Sequence, residues 1–230
     1  MAYLNGSERE KFVNLTFTDI APRYVFMNHL MTGGMDIFLR KEAIRAAKFQ
    51  PDERVLDIGT GTGDLAREAR NKHSNLHLTA ADFTLAMMTA TKDWQRIDRS
   101  AADALRLPFA DASFDVVMSG YLVRNVIDLA GSLAEQFRVL KPGGRVIVLD
   151  TTRPRRNLFT PFINFYFKRV IPLLGAMLNR NREAYTYLTQ STEGFVTAET
   201  LSEGMQLAGF SNIQYRIRMF GTMAIHTGLK

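Results

Sequence analysis

The residues best suited to chemistry form a glycine-rich segment that includes an acidic residue. Residues 55–64 read VLDIGTGTGD, a short apolar strand that contains Asp57 and ends in a loop. The loop residues to which we assign ligand binding, together with Asp57, are Gly59, Gly61, Thr62 and Gly63. Glycines at the end of a first strand let the backbone approach a ligand closely and turn sharply into a helix.

The charge and spacing of this segment favour a cationic ligand over a phosphate. A dinucleotide-binding loop has the spacing G-x-G-x-x-G and holds a pyrophosphate at the start of the next helix, whereas this loop reads G-x-G-x-G. The Asp57 carboxylate would repel phosphates but would suit a ligand that carries an ammonium and a sulfonium. S-adenosylmethionine is such a ligand, and we predict that it binds here.

Two further acidic positions follow the next two predicted strands. Asp82 ends the second strand, where its carboxylate could accept both hydroxyls of a ribose. Asp103-Ala104 follows the third, where a carboxylate and a backbone N–H could hold the edge of an adenine. Read singly, Asp57 could brace its loop and Asp82 could cap the next helix. Together they lie at consecutive strand ends, where open α/β sheets bind ligands, and this combination predicts a cofactor site.

The pattern around these residues predicts a parallel α/β fold. Residues 1–50 read as helical, with Asp19 as a cap for the turn before Ala21-Pro22 and a second amphipathic stretch from Met35 to Ala47. From Arg54, short apolar strands alternate with helices. The predicted strands are 55–58, 76–81, 97–101, 114–119, 145–150, 213–219 and 222–227. The predicted helices are 64–71, a segment through Met87, Met88 and Trp94, 129–140 and 197–208. Lys141-Pro142-Gly143-Gly144 is predicted to be a turn. The short Phe220-Gly221 joint predicts that the last two strands form an antiparallel hairpin.

The composition excludes several classes of protein. The chain has 230 residues, 46% of them apolar and 23% charged, which suits a globular domain and excludes disordered, collagen-like and coiled-coil chains. It has no cysteine, so it can form no disulfide or zinc ribbon, and we assign no metal ligands. We find no secretory signal, and the longest apolar stretch of the second half, near 170–178, is far shorter than the ~20 residues of a membrane span. We therefore expect a cytoplasmic protein.

The net charge of +6 is unevenly distributed. Between Thr151 and Arg182 there are seven basic residues and no acidic one, with aromatic residues among them. The basic residues are Arg153, Arg155, Arg156, Lys168, Arg169, Arg180 and Arg182, and the aromatic ones are Phe159, Phe162, Phe165, Tyr166 and Phe167. Such a segment could be a solvated cap, a surface for anionic lipid or a nucleic-acid patch. Because we find no nucleic-acid recognition motif beyond charge, we do not expect a nucleic-acid partner.

Seven motifs, taken together, resemble one known family. They are Tyr24-Val25-Phe26-Met27-Asn28, residues 56–64, Leu107-Pro108-Phe109, Arg124-Asn125-Val126, residues 138–144, Tyr185-Thr186-Tyr187-Leu188 and residues 221–228. They resemble the ubiquinone/menaquinone biosynthesis C-methyltransferases, within the class I S-adenosylmethionine-dependent methyltransferases. Many methyltransferases share the glycine loop and Lys-Pro-Gly-Gly, whereas Arg-Asn-Val, Tyr-x-x-Met-Asn and the tyrosine pair are much more specific.

The resemblance implies a single methyltransferase domain over residues 1–230. Its fold would be Rossmann-like, with a mostly parallel seven-stranded sheet, a C-terminal antiparallel hairpin, a helical arm (1–50) over the site and a basic aromatic lid (151–190) after the fifth strand. The implied reaction is C-methylation of a polyprenylated hydroquinone, either demethylmenaquinol-like or a demethylated benzoquinol. Because the isoprenoid tail of such an acceptor lies in the bilayer, the lid would face the membrane surface and attach to it transiently. A homodimer is left open.

The resemblance also suggests roles at the acceptor end of the site. A quinol ring carbon is a weak nucleophile, so a base or a group that stabilises a phenolate should help. We expect Arg124, which stays protonated, and Tyr24 to be catalytic, with Asp150 and His226 as further candidates. Substrate contacts are expected from Asn28, Asn125, Tyr185, Tyr187 and His226. The structural alternatives are a salt bridge for Arg124, a satisfied polar group for His226 and simple packing for the tyrosines.

Several residues depart from the family pattern. Val25 stands where the family usually has Asp, and Asp36 and Leu39 stand where it usually has His and Trp. Gly120 stands where a cofactor-contacting serine is common, and we retain it as a cofactor residue; residues 150–152 read Asp-Thr-Thr in place of Glu-x-Ser. The departures cluster in the arm that would cover the substrate, so they bear on the substrate more than on the reaction.

Three other functions stay open. The first is a methyltransferase for another small lipophilic or phenolic substrate, favoured by the departures at Val25, Asp36 and Leu39. The second is a non-catalytic S-adenosylmethionine-binding subunit of a quinone-biosynthesis assembly, which would bind without turnover. The third is an NAD-dependent dehydrogenase, which would need the other glycine spacing.

Overall fold

The computed structural model describes residues 6–153, 165–170 and 194–230. These residues form one seven-stranded sheet in the order β3-β2-β1-β4-β5-β7-β6. The strands are β1 (Arg54–Ile58), β2 (His77–Asp82), β3 (Ile97–Ala101), β4 (Phe114–Gly120), β5 (Leu140–Thr151), β6 (Ser211–Arg218) and β7 (Met223–Leu229). Neighbours among β1 to β5 pair in parallel, and β7 pairs antiparallel with both β5 and β6. The predicted mostly parallel sheet with a C-terminal antiparallel hairpin is confirmed.

Helices precede and connect these strands. They are α1 (Gly6–Ile20), α2 (Tyr24–Thr32), α3 (Met35–Ala47), α4 (Asp64–Lys72), α5 (Leu85–Thr89), α6 (Leu129–Val139) and α7 (Ala198–Leu207), with short helical turns at Ala21–Arg23, Tyr166–Val170 and Met219–Gly221. Short polar side chains start two of them, as expected for N-caps. Asp128 accepts a hydrogen bond from the Gly131 N–H at 3.0 Å, and Thr197 accepts one from the Thr200 N–H at 3.2 Å. No helix in the described ranges is long and apolar enough to span a membrane.

The central strands β1, β4 and β5 are largely buried on both faces because helices cover both sides of the sheet there. Val55 and Leu56 in β1 point to opposite faces, as successive strand residues do. The Val55 face packs against α3 through Ile44, and the Leu56 face packs against α6 and α7 through Leu133 and Leu201. The near-continuous apolar runs of the sequence follow from this double coverage.

Two helical predictions near the N-terminal half differ from the structure. The helix after β2 ends at Thr89 and does not reach Trp94, because the chain turns back and the Trp94 indole N–H donates to the Met88 carbonyl at 2.9 Å. Asp19 lies within α1, and Ile20 occupies the cap position of the Ala21–Arg23 turn without a side-chain cap.

The turn predicted at residues 141–144 is part of β5. Leu140 already pairs with Phe114, and the register then shifts before Val116. The backbone of this stretch bonds to the end of the neighbouring antiparallel strand, since the Gly143 N–H donates to the Lys230 carbonyl at 2.9 Å. The glycine residues therefore bend the strand without ending it.

The strand order creates a switch point between β1 and β4. The chain leaves β1 to build β2 and β3 on one side of it and returns to place β4 on the other side. The carboxyl ends of β1, β2 and β4 therefore lie together, at the kind of crevice where open α/β sheets bind ligands. In the arm, α1 packs against α5 and α3 packs against β5. The predicted lid, 151–190, lies mostly outside the described residues.

Candidate active site

A cleft of about 940 Å³, measured to its open mouth, lies at the carboxyl ends of β1, β2 and β4. One of its walls carries carboxylates from the ends of β2 and β3, and another carries apolar side chains from α1 and from the segment after β4. The predicted site residues that line it are Tyr24, Gly59, Gly61, Asp82, Asp103, Ala104, Gly120 and Asn125. Residues that are far apart in the sequence thus meet where the sequence analysis expected them.

The backbone and the space at the cleft floor require glycine at two positions. Gly59 has a φ of +64°, and a Cβ there would lie 2.6 Å from Cδ1 of Leu122. Gly61 has a φ of +58°, and its Cβ would lie 3.3 Å from Cε of Met87. Any side chain at Gly59 would be strained and would displace the wall of the cleft. Gly63 differs, because the space beside it is taken by the Trp94 ring, and it serves the start of α4 more than the cleft.

Asp57 is completely buried beneath the glycine loop. Its Oδ2 accepts a hydrogen bond from the Thr60 hydroxyl at 2.6 Å, whereas Oδ1 makes no hydrogen bond of normal geometry with the described residues. Burial raises the pKa of Asp57 to about 7, against the lowering effects of the Thr60 hydroxyl and of the Ala66 backbone N–H. A buried carboxylate oxygen without a hydrogen bond of normal geometry is costly, so this position would gain from a cationic ligand.

Asp82 is fixed by two backbone amides. Its Oδ2 accepts from the Gly61 N–H and its Oδ1 from the Thr84 N–H, both at 2.7 Å. Burial raises the pKa of Asp82, against the opposing effect of these two N–H groups. Thr84, not Asp82, holds the cap position of α5. Each carboxylate oxygen can accept a further bond, so the amides orient Asp82 and leave it able to bind a pair of hydroxyls.

Asp103 and Ala104 lie together at the far end of the cleft. Oδ1 of Asp103 accepts from the Leu105 N–H at 2.9 Å, and the Asp103 carbonyl accepts from the Arg106 N–H at 3.0 Å. These bonds form a tight turn directly after β3. They hold a carboxyl group and a small apolar residue against the ligand space, as an adenine edge would require.

A second, smaller cavity of about 360 Å³ adjoins the cleft. It is polar, and its lining includes Arg40, Asp57, Thr60, Thr62 and Asp64. The Thr62 hydroxyl donates to Oδ2 of Asp64 at 2.8 Å, so Thr62 stabilises this end of the loop. The residues that line both cavities are Tyr24, Gly59, Gly61, Gly120 and Tyr121. This shared wall marks the point where a polar ligand end and an apolar ligand would meet.

Tyr24 lies at that junction. Burial raises the pKa of its phenol, while the nearby charges of Arg124 and Arg40 and a hydrogen bond with Asn28 act to lower it. The phenol is therefore protonated at neutral pH. It can donate a hydrogen bond to an oxygen in the cleft, but it is poorly suited to act as a base.

Arg124 and Asp150 lie behind the wall of the cleft and do not line it. The Arg124 guanidinium lies over the Tyr121 ring, 5.5 Å from its centroid, and Nε is 3.8 Å from Oδ1 of Asp150. Both side chains are buried, and burial raises the pKa of Asp150 despite the charge of Arg124. This arrangement matches the salt-bridge alternative. Arg124 influences the site indirectly, through its contact with the Tyr121 ring and the effect of its charge on Tyr24.

The structure does not bring His226 to the cleft. The residue lies in the middle of β7, with Nε2 3.0 Å from the Ala198 carbonyl oxygen and its ring 5.3 Å from the Tyr215 ring between centroids. Burial lowers the pKa of His226, so it is a neutral, buried polar group under α7. The direction of β7 explains the difference, because an antiparallel strand presents its amino end, not its middle, to this edge of the sheet.

The remaining predicted substrate residues divide into three cases. Asn125 lines the cleft, and its Nδ2 donates to the Tyr121 carbonyl at 2.9 Å. Asn28 lies one turn after Tyr24 on α2 and acts through its hydrogen bond with that phenol. Tyr185 and Tyr187 lie outside the described residues.

Two residues of the site were missed by the sequence analysis. Tyr121 lines both cavities and has a φ of +61°, which turns the chain directly after β4. Its position after Gly120 was a usable signal, because it follows a strand end. Arg40 lines the polar cavity from the middle of α3. Its sequence context is an ordinary amphipathic helix, which gives no such signal.

Comparisons with known proteins place the chain among methyltransferases. A sequence model of the ubiE/COQ5 methyltransferase family matches residues 5–230. A ubiquinone/menaquinone biosynthesis C-methyltransferase UbiE from Desulfotalea psychrophila is 43% identical and aligns with 99% of this chain and 97% of its own. A demethylmenaquinone methyltransferase from Roseiflexus sp. is 40% identical, over 97% of this chain and 95% of its own.

Solved structures are similar in fold at much lower identity. Phosphoethanolamine N-methyltransferase 2 from Haemonchus contortus, in complex with phosphomonomethylethanolamine and S-adenosylhomocysteine, has a TM-score of 0.67 at 17% identity, over 94% of this chain and 59% of that one. An S-adenosylmethionine-dependent methyltransferase from Thermotoga maritima has a TM-score of 0.65 at 19% identity, over 94% of this chain and 98% of that one. These similarities confirm the class I fold.

Proposed function

Because the chain belongs to the ubiE/COQ5 methyltransferase family, we propose that it transfers a methyl group from S-adenosylmethionine to a ring carbon of a polyprenylated hydroquinone. The observation that carries this proposal is the junction of a polar cavity with a larger, partly apolar cleft. The reaction needs an amino-acid-bearing cofactor and an aromatic acceptor to meet at one point, shielded from water. The junction at Tyr24, Gly120 and Tyr121 provides such a point.

The residues around the cleft fit S-adenosylmethionine. Asp82, oriented by two amides, would accept the ribose hydroxyls, and Asp103 with Ala104 would hold the adenine. Oδ1 of Asp57, which makes no hydrogen bond of normal geometry with the described residues, would face the positive charge of the ligand. Gly59 and Gly61 leave room for it. When bound, S-adenosylmethionine supplies an electrophilic methyl group on its sulfonium.

The acceptor would lie against the apolar wall of the cleft. Val13 and Phe17 of α1 line this space together with Val126 and Ile127. Ile127 and Phe83, which line the cleft, are 39% and 45% exposed, so the mouth of the cleft is itself apolar. Such a mouth suits an isoprenoid tail that leaves the site, because it keeps the tail partly out of water.

The Tyr24 phenol would stabilise the negative charge that develops on the phenolate oxygen of the acceptor. A ring carbon would become nucleophilic when a ring hydroxyl passes its proton to water, and the phenolate oxygen would then need a donor. The carbon that gains the methyl group would lose its own hydrogen to water as a proton. The raised pKa of Tyr24 keeps its proton in place for this task. Arg124 would act from behind as a positioning residue, since its charge opposes the effect of burial on Tyr24.

Membrane contact and assembly belong to the same proposal. The basic aromatic segment 151–190 would bring the protein transiently to an anionic membrane surface, where the acceptor tail lies. Sedimentation with vesicles that contain or lack anionic lipid tests this contact, and light scattering tests whether the chain forms a homodimer.

The function itself is tested by direct methylation. Purified protein is incubated with S-adenosylmethionine and chemically reduced demethylmenaquinone or the demethylated benzoquinol, and mass spectrometry measures a gain of one methyl group. A gain on either ring supports the proposal and names the ring. Intact cofactor binding with no gain on either ring would favour another acceptor or a non-catalytic subunit. Absence of cofactor binding in the wild-type protein would contradict the proposal itself.

A further inference from the structure

We propose that Arg40 binds the α-carboxylate of the cofactor, and that Asp36 holds Arg40 in the orientation that this requires. The inference rests on the proposed function, because it takes the cofactor to be S-adenosylmethionine. It adds a cationic residue from α3 to the site.

Arg40 is the cationic side chain among the described residues that line the polar cavity. It is 7% exposed, and the same cavity is lined by the carboxylates of Asp57 and Asp64. A ligand carboxylate would be repelled from such acidic surroundings except beside a guanidinium. The cavity therefore has complementary ends for a zwitterion, with Asp57 for the positive groups and Arg40 for the negative one.

Asp36 fixes one corner of the guanidinium. One terminal nitrogen of Arg40 donates to Oδ2 of Asp36 at 2.8 Å. Asp36 is completely buried and is itself held from α2, since the Thr32 hydroxyl donates to its Oδ1 at 2.9 Å and Nδ1 of His29 lies 2.7 Å from its Oδ2. Asp36 thus has a fixed position, and it fixes Arg40.

The rest of the guanidinium keeps donors for a ligand. Arginine has five N–H donors in a planar fork that matches a carboxylate, and the bond to Asp36 uses one of them. The other terminal nitrogen of Arg40 lies 3.6 Å from Oδ2 of Asp64, which is too long for a hydrogen bond. Asp64 instead accepts from the Thr62 hydroxyl and from Arg67. A ligand carboxylate could therefore bind Arg40 without displacing its existing partner.

The arrangement connects the cofactor to the arm. The chain of contacts runs from His29 and Thr32 on α2 through Asp36 and Arg40 on α3 to Asp64 at the start of α4. Because α2 also carries Tyr24, a ligand held by Arg40 would stabilise the helix pair that carries the proposed donor.

The test measures selectivity for the carboxylate by calorimetric titration. The two ligands are S-adenosylmethionine and its decarboxylated analogue, which keeps the sulfonium and the amine. Wild-type protein should prefer the carboxylated ligand by roughly tenfold to a hundredfold, the range for a charged hydrogen-bonded pair. Arg40→Met should lose most of this preference by weakening the first ligand alone. Asp36→Asn, which keeps Arg40 but loosens it, should lose part of the preference.

Arg67→Met is the matched control. Arg67 shares Asp64 with Arg40, and it does not line either cavity among the described residues. Its loss should weaken both ligands to the same extent and keep the preference. Should Arg40→Met fail to fold, Arg40→Gln, which retains a donor for Asp36, gives the same comparison.

Four results would overturn the inference. An Arg40 variant that keeps the full preference would mean that another group binds the carboxylate, and so would an Arg67 variant that loses it. A wild-type protein that binds both ligands equally would refute the inference and leave the proposed function intact. A wild-type protein that binds neither would refute the proposed function, and this inference with it.

Discussion

Replacing Asp57 with asparagine should abolish a pH dependence of folding stability that the wild-type protein has between about pH 4 and 7. Burial raises the pKa of this carboxyl from 3.8 to about 7 in the folded chain. Between these values the folded chain holds a proton that the unfolded chain has lost, so the free energy of unfolding falls as the pH rises and levels off above 7. At about 1.4 kcal/mol for each pH unit, the whole fall is about 4 kcal/mol.

Urea unfolding without ligand, at several pH values from 5 to 8, measures this effect. Asparagine keeps the shape of the side chain and an acceptor for the Thr60 hydroxyl, but it does not titrate. The stability of the wild-type protein relative to Asp57→Asn should therefore fall by about 3 kcal/mol over this range. The pH dependence of the wild-type protein alone is not a sufficient measure, because groups other than Asp57 also titrate in this range.

Asp115→Asn is the control, because folding shifts the pKa of Asp115 in the opposite direction to that of Asp57. Partial burial raises the pKa of Asp115, but the Lys141 ammonium at 2.7 Å and the Arg54 N–H outweigh this and hold that pKa below its ordinary value. The stabilisation of the fold by ionised Asp115 is complete above about pH 4 and is lost only at lower pH. The difference between wild type and Asp115→Asn should therefore be constant from pH 5 to 8. If the Asp57→Asn curve also ran parallel to wild type, the folded protein would hold Asp57 ionised and the reasoning from burial would be refuted.

The other predictions concern the ligand contacts and the glycine positions. Asp82→Ala should weaken cofactor binding by roughly tenfold to a hundredfold, because charged hydrogen bonds to the ribose are lost; unchanged affinity in calorimetry would mean that the ribose binds elsewhere. Tyr24→Phe should lower turnover by about a hundredfold with little change in cofactor affinity, as expected for the loss of one oxyanion donor; an equal loss of both would indicate that Tyr24 only shapes the cofactor site. Gly120→Ser should change the free energy of unfolding by about 0.5 kcal/mol or less, because a Cβ there would make an ordinary 3.5 Å contact. Gly59→Ser should cost about 2 kcal/mol or more, because its Cβ would lie 2.6 Å from Leu122. Urea unfolding of both glycine variants checks this contrast, and equal costs would contradict it.

The sheet and the cofactor half of the site could be predicted because their signals are local. A buried strand followed by Gly59 and Gly61, and an acid such as Asp82 at the next strand end, are read from a few adjacent residues. Parallel strands place all their carboxyl ends at one edge, so the local signals translate directly into neighbours in space. The structure brings these residues together in the cleft.

The acceptor half was harder to predict because its residues depend on helix packing and on strand direction. The Arg124 motif follows β4, yet its guanidinium lies behind Tyr121 and next to Asp150, and no sequence pattern specifies which side chain of a turn faces a cavity. His226 alternates correctly in its strand but lies too far along it to reach the cleft. Arg40 lines the site from a face of α3 that the sequence pattern predicts to be exposed to solvent.

The strand order has a consequence for how the chain matures during synthesis. β1, whose side chains are buried on both faces, lies between β2 and β4, so one of its hydrogen-bonding edges stays unpaired until β3 and the connection to β4 have also been made. At a synthesis rate of about 5–20 residues per second, this edge of an apolar strand would stay unpaired for several seconds, and an unpaired edge can lead to aggregation. The cofactor cannot shorten that interval, because Gly120 completes the wall of its cleft only when β4 is in place. Ligand binding would therefore protect the finished molecule against unfolding without assisting the nascent one.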